Sequence, residues 1–345
     1  MKKVDYIIVG DGYAGFFFAH QLIRNKKSFV IFSEGKPNAS YVSAGMINPV
    51  ILKRFTPIWL CHDIMETFRT TFNEIKEYLK KDYFVEENVI RIFHDEKERE
   101  IWNTKSEEEI LADYMDKDFI QLEKPIINHH SCGKIKDSGR LKVYDFFDDM
   151  RNYLVSENKV IASRFDYAML HPENKTYQNI HYQNIVFAEG TSICMNPYFS
   201  EVPVQPNKGH HLIIKLNETI AKNYAIKKKH FLFPLQDATY YYGSTYDRAS
   251  ENSEIDQNAV EELKNGLKQF YNADFEVEQI HTGFRATVRD RKPILGEHNQ
   301  FKNVYILNGL GARGVLNGCF FSKELYEHIE NKKPLMPEVD VKRFA

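Results

Sequence analysis

Two clusters of glycine near opposite ends of the chain are the residues whose type and spacing point most directly to chemistry. The first reads Gly10-Asp11-Gly12-Tyr13-Ala14-Gly15, with Ala19 beyond it; the second reads Gly309-Leu310-Gly311-Ala312-Arg313-Gly314, with Gly318 beyond it. The chain holds 17 glycines in 345 residues, below the roughly 24 that average usage gives. Seven of the 17 fall in these two stretches. A chain sparing with glycine that concentrates it twice needs unusual dihedrals or close backbone approach at both places.

The chemistry expected at the first cluster is diphosphate binding. Gly10 permits a tight strand-to-helix turn and Gly12 lets a diphosphate approach the backbone. Gly15 with Ala19 lets the helix pack closely, while bare N–H groups and the positive helix end face the phosphates. Gly10, Gly12, Tyr13, Ala14 and Gly15 are therefore candidate dinucleotide ligands. An acidic residue for the ribose hydroxyls belongs about 20 residues further on. Glu34 stands 19 positions after Gly15, and strand alternation equally allows Ser33 at the ribose.

The second cluster suits the reducible end of a flavin. Hydride arrival leaves negative charge along the N1 and C2-carbonyl edge, so positive potential is needed there. Gly309, Gly311, Ala312 and Gly314, ahead of a helical run over 315–329, would bare N–H groups in that position. Arg313 faces either the ring edge or solvent. The alternative for the whole cluster is a structural turn.

The elements that must position these residues are legible as patterns. Strand-like runs at 4–9 and 304–307 precede the two clusters, and 28–32 supplies a second strand at βαβ spacing. Helical spacing covers 62–81 and 96–116, where Ser106 and Glu109 form a capping-box pattern on a solvated, Glu-rich face. Leu141, Phe146, Phe147, Met150 and Leu154 stripe another helix, and 182–188 reads as a strand. Strands at 211–215 and 239–243 suit a mixed or antiparallel sheet. A helix beginning near Asp256 presents Ala259, Val260, Leu263, Leu267 and Phe270 on one face. The expected fold is α/β, a Rossmann-like domain with an interleaved α+β domain, and the length suits two domains.

Composition excludes other classes. With 46 Lys+Arg against 48 Asp+Glu, the net charge gives no general attraction to nucleic acid or anionic lipid. No apolar run approaches a membrane span, and Met1-Lys2-Lys3 leads into a strand without a cleavage site, so a cytoplasmic protein is expected. Cys61, Cys132, Cys194 and Cys319 form no CxxC pair and read as reduced thiols. His129-His130 and His210-His211 are adjacent pairs without metal-ligand spacing, and neither a serine nucleophile elbow nor a Walker motif occurs.

Taken in order, the motifs resemble those of the flavin-dependent amine oxidases of the D-amino-acid oxidase superfamily, in the glycine oxidase and sarcosine oxidase branch. They are 5–19; Ser43-Ala44-Gly45-Met46-Ile47; 184–190, a strand ending in Ala188-Glu189-Gly190; Gly243-Ser244-Thr245; Gly283-Phe284-Arg285 with Asp290, Pro293, Ile294 and Gly296; and 308–314. The resemblance implies FAD in an extended conformation under a mixed sheet. Ser43, Ala44, Gly45 and Met46 would lie at the flavin, and Ala188 and Gly190 near the dinucleotide. It also implies an FAD domain from 1–82, 143–208 and 284–345, and a substrate domain from 83–142 and 209–283. Arg285 would pair with a substrate carboxylate, although the nearby Arg289, Arg291 and Lys292 also suit a charged turn. No cysteine lies between Gly283 and Gly296, where one branch tethers its flavin, so the FAD is expected to be non-covalent.

Phe231 stands where glycine oxidases place a tyrosine; His230, Tyr242 or Tyr246 are the candidate replacements. The implied reaction is oxidation of the C–N bond of a small amine or amino acid, with oxygen or another electron acceptor completing the cycle. Flavin chemistry on a tRNA nucleoside and a flavin-binding module without turnover are the alternatives; the near-neutral charge speaks against nucleic acid.

Overall fold

The apolar run that opens the chain forms the strand Lys2–Val9, whose alternation sends Tyr6 and Ile8 to one face and Ile7 and Val9 to the other. All four are buried because both faces are covered, the setting in which parallel sheet is found. The computed structural model describes residues 2–36, 38–220, 224–235, 237–250 and 252–344. In the first sheet Lys2–Val9 lies between Phe29–Phe32 and Ile180–Phe187, with Val160–Ile161 and Val304–Asn308 as further parallel neighbours. Short antiparallel strands, among them Ile294–Glu297 on Val304–Asn308, complete its edge.

The helices are α1 Tyr13–Arg24, α2 Cys61–Leu79, α3 Glu96–Lys105, α4 Glu109–Tyr114, α5 Val143–Ser156, α6 Gln257–Lys268 and α7 Gly314–Asn331. Helices α1, α2, α5 and α7 contribute their buried side chains to one continuous core, among them Phe17 on α1 and Phe146 on α5. The helix expected over 96–116 is in fact two. Asp95 caps α3 by accepting from the Glu98 N–H at 2.8 Å, and Ser106 lies at the C-terminal end of α3, its hydroxyl donating to the Asn103 carbonyl. The Ser106/Glu109 capping box therefore does not form: Ser106 ends one helix instead of starting the next.

The second sheet has seven strands in the order Phe275–Thr287, Gln205–Leu216, Thr239–Gly243, Phe231–Pro234, Tyr224–Lys227, Asn88–Ile92 and Cys132–Ile135. Its pairs are antiparallel except Tyr224–Lys227 with Asn88–Ile92. One face packs Leu212, Leu232, Tyr242 and Ile226 onto Val260, Leu263 and Leu267 of α6, and Asp256 caps that helix by accepting from the Asn258 N–H. On the other face the register aligns His281, His211, Gly243, Phe231, Lys227 and Arg91 in one row across neighbouring strands. Gln205–Leu216 and Phe275–Thr287 both run across the expected joins at 208/209 and 283/284. Among the described residues no helix is long and apolar enough to cross a membrane.

Candidate active site

The chain leaves Lys2–Val9 and turns at once into α1, which only glycine permits. Gly10 has φ +104°, and a Cβ there would sit 2.5 Å from the Ala188 carbonyl oxygen. A Cβ at Gly15 would overlap the Gly10 carbonyl. Gly12 caps α1 in extended backbone, and a Cβ there would meet the Ser40 hydroxyl at 3.1 Å. The first turn of α1 carries no acidic residue, so its positive end is not neutralised from within the helix.

Beyond α1 the ribose candidates separate. Ser33 is buried and donates its hydroxyl to Asp11 Oδ2 at 2.6 Å, and Arg151 makes an ion pair with the same carboxylate. Glu34 is exposed and pairs with Lys36 at 2.9 Å. Both still border the cavity described below. Glu189, which sequence reasoning passed over, also borders it. Its carboxylate accepts from Tyr167 Oη at 2.5 Å and Asn196 Nδ2 at 2.7 Å, and burial pushes its pKa up.

The second glycine cluster folds against the first. Asn308 Nδ2 donates to the Gly190 carbonyl at 2.9 Å. Gly190 and Gly311 have φ +57° and +62°, and a Cβ on either would meet nothing within 4 Å. Glycine serves there for its backbone conformation, and the space beyond is open. Helix α7 has no acidic residue in its first turn and no side-chain cap. A Cβ on Gly314 would lie 2.6 Å from the Tyr13 ring, and one on Gly318 would lie 2.5 Å from Phe17, so these two glycines set α7 directly on α1. The 43–46 loop closes beside them, with Tyr13 Oη and Ser43 Oγ hydrogen-bonded at 2.7 Å.

A cavity of about 830 Å³ joins these parts. Of the cofactor positions named from sequence, all but Gly15, Gly309 and Arg313 border it. Gly15 lies beneath the turn. Gly309, at φ +70°, packs near Val288, and Arg313 is half-buried, with desolvation lowering its pKa.

The second sheet roofs the other end of this cavity. Arg285 borders it and has no carboxylate partner among the described residues. Its guanidinium donates to Asn207 Oδ1 at 3.2 Å, the Thr245 carbonyl at 3.2 Å and Ser244 Oγ at 2.5 Å. Those bonds use three of its five N–H donors. The Tyr246 ring covers it at 4.4 Å, and Gly209 leaves room for it, since a Cβ there would overlap its Nη atoms. Of the three candidate replacements for the tyrosine at Phe231, only Tyr246 borders the cavity; His230 and Tyr242 are buried away from it.

His211, Tyr241 and Lys227 also line this roof. His211 stacks between Tyr241 and His281, at 4.5 and 5.0 Å, and burial lowers its pKa to about 3, so the ring is neutral at ordinary pH. The Lys227 ammonium lies over the Phe231 ring and donates to the Lys229 carbonyl at 2.9 Å. Desolvation, with Arg91 nearby, pulls its pKa down to about 7. The strand alternation of 224–227 is the signal that could have placed Lys227, once its pairing with Phe231 was known. Among the described residues no group of His, Cys, Asp or Glu could hold a metal ion.

Comparison with known proteins gives the same outline. A family model described as FAD dependent oxidoreductase matches residues 5–328. Glycine oxidase from Geobacillus kaustophilus superposes with a TM-score of 0.79 at 15% identity, covering 100% of this chain and 98% of that one. Iminodiacetate oxidase from a Chelativorans species gives 0.79 at 18%, covering 97% and 98%. L-proline dehydrogenase from P. horikoshii gives 0.80 at 14%, covering 99% and 98%. At these identities the likeness is one of fold.

Proposed function

Because the chain belongs to the family of FAD-dependent oxidoreductases, we propose that it oxidises the C–N bond of a small amine or amino acid that bears a carboxylate. The observation behind this reading is Arg285, a guanidinium at the roof of the cavity whose partners among the described residues are neutral and leave two of its N–H donors unused. A planar fork of that kind suits bidentate recognition of a carboxylate. The substrates named for the structural neighbours, glycine, iminodiacetate and L-proline, each combine an amine with a carboxylate.

The residues present fit FAD: a helix N-terminus with no acidic residue in its first turn stands at each of two points of one cavity, with Gly190 and Gly311 open to it. The Gly10–Gly15 turn and α1 would hold the diphosphate, and Ser33 or Glu34 the ribose. The 43–46 loop and the start of α7 would hold the ring. None of the four cysteines borders the cavity, which supports a non-covalent cofactor. We assign 1–82, 143–208 and 284–345 to the FAD domain and 83–142 and 209–283 to the substrate domain.

When bound, FAD supplies the hydride acceptor at N5. Arg285 orients the substrate through its carboxylate, and the sheet roof keeps water from the reacting carbon. The positive end of α7 would favour negative charge on a ring held there. The substrate reacts as its neutral amine, and the imine product is hydrolysed to a carbonyl compound and an amine or ammonia. No side chain is needed as general base in this scheme. The test is a panel of amines and amino acids mixed anaerobically with the purified holoprotein. Bleaching of the flavin absorbance by a carboxylate-bearing amine is expected; bleaching by dithionite alone would overturn the reading.

A further inference from the structure

We propose that the cavity contains a second anion subsite, built on Lys227, and that the substrate carries a second anionic group a few bonds from the carboxylate held by Arg285. This rests on the amine-oxidation reading above and names its substrate class more closely. Lys227 and Arg285 project from the same face of the second sheet. The row of paired residues His281, His211, Gly243, Phe231 and Lys227 places Lys227 on the cavity side, and Arg285 lies four residues beyond His281 on its strand. Both border the one cavity.

Neither cation has a carboxylate partner among the described residues. Arg285 is surrounded by neutral acceptors. Lys227 has one backbone carbonyl and the Phe231 ring, whose centroid is 4.3 Å from its ammonium. Its neighbour across the row, Arg91, is by contrast committed to Glu98 at 2.5 Å. An ammonium kept in partly desolvated surroundings without a counter-charge is costly, and the desolvation is visible in the lowered pKa of Lys227. An anionic ligand group would supply the missing partner.

The register also gives the spacing. The guanidinium is anchored by Ser244 and Thr245 beside Gly209, about two residues along the strands from the Lys227 row, while the ammonium lies over Phe231, two strands from Gly209 in the sheet order. With strands about 4.8 Å apart and residues about 3.4 Å apart along them, the two charges are separated by roughly 10–12 Å. Allowing about 3 Å for each charge-assisted contact leaves roughly 4–6 Å between the two ligand anions. That suits two carboxylates separated by a short chain, as in an amino dicarboxylate or an N-carboxyalkyl amino acid.

The test uses inert probes and the holoprotein, read by calorimetry and by perturbation of the flavin spectrum. Butyrate is compared with succinate and glutarate in wild type and in Lys227→Met, Lys227→Arg and Arg285→Met. Succinate or glutarate is expected to bind wild type roughly 10- to 100-fold more tightly than butyrate, the range for a hydrogen bond to a charged group. Lys227→Met should remove that gain while leaving butyrate affinity and FAD content in place, and Lys227→Arg should restore part of it. Equal binding of mono- and dicarboxylates, or a gain that survives Lys227→Met, overturns the subsite while Arg285-dependent butyrate binding keeps the carboxylate role of Arg285. Loss of all Arg285-dependent binding overturns both.

Discussion

Arg285 holds a full charge among neutral acceptors, with Tyr246 as its cover. Replacing it by alanine is expected to raise KM for carboxylate-bearing amines roughly 10- to 100-fold, corresponding to about 1.5–3 kcal/mol. Amines without a carboxylate should change little, and steady-state kinetics on matched pairs checks this. At the opposite end, Gly12→Val puts a branched side chain where a Cβ would already meet the Ser40 hydroxyl at 3.1 Å, at the position proposed for the phosphate. The purified variant should show reduced flavin absorbance per protein; a normal FAD content would remove Gly12 from the phosphate site. Residue types close in sequence made Gly12 visible, because the turn chemistry of GxGxxG is local, whereas Arg285 was named through the family resemblance of Gly283-Phe284-Arg285. Asp11 was harder to read: its partner Arg151 lies 140 positions away, and nothing near Asp11 announces the pairing.

Elements show where local reading succeeds and where pairing decides. The Thr239–Gly243 strand and the start of α6 at Asp256 follow from alternation and capping. Ser106 and Glu109 had the spacing of a cap, yet Asp95 starts the upstream helix and leaves Ser106 at its end. The register that brings His211, Phe231 and Lys227 to one face joins strands distant in sequence, so no window of the chain displays it. Two predictions belong at this scale. Gly318→Ala drives a Cβ to 2.5 Å from the Phe17 ring, and the crowding should cost about 1–3 kcal/mol in a denaturant melt.

The roof sheet should also be acid-sensitive. Burial lowers the pKa of His211 from 6.5 to about 3 and that of His230 to about 4. Between pH 6.5 and those values the unfolded chain binds protons that the folded chain does not, so stability falls on acidification. The limit is about 1.4 kcal/mol per pH unit for each histidine. Unfolding midpoints at pH 7 and pH 5 should differ accordingly, and His211→Gln should make the difference smaller.

At the scale of the whole molecule, one sheet supplies the half of the cavity that carries the glycine clusters and the other its roof. The glycine clusters and strand-helix order made this division readable from sequence, while the chemistry of the roof depended on long-range pairing. The two helices that begin at the glycine clusters are packed on each other without room for a Cβ between Gly314 and Tyr13 or between Gly318 and Phe17. Their fixed crossing acts as a caliper: it presets the span that a ligand must have to touch both jaws. FMN, too short to reach both, should therefore reconstitute the apoprotein far more weakly than FAD, by at least about 100-fold if a whole diphosphate grip is lost. Titration of the two flavins against apoprotein, followed by fluorescence quenching, measures that discrimination by length.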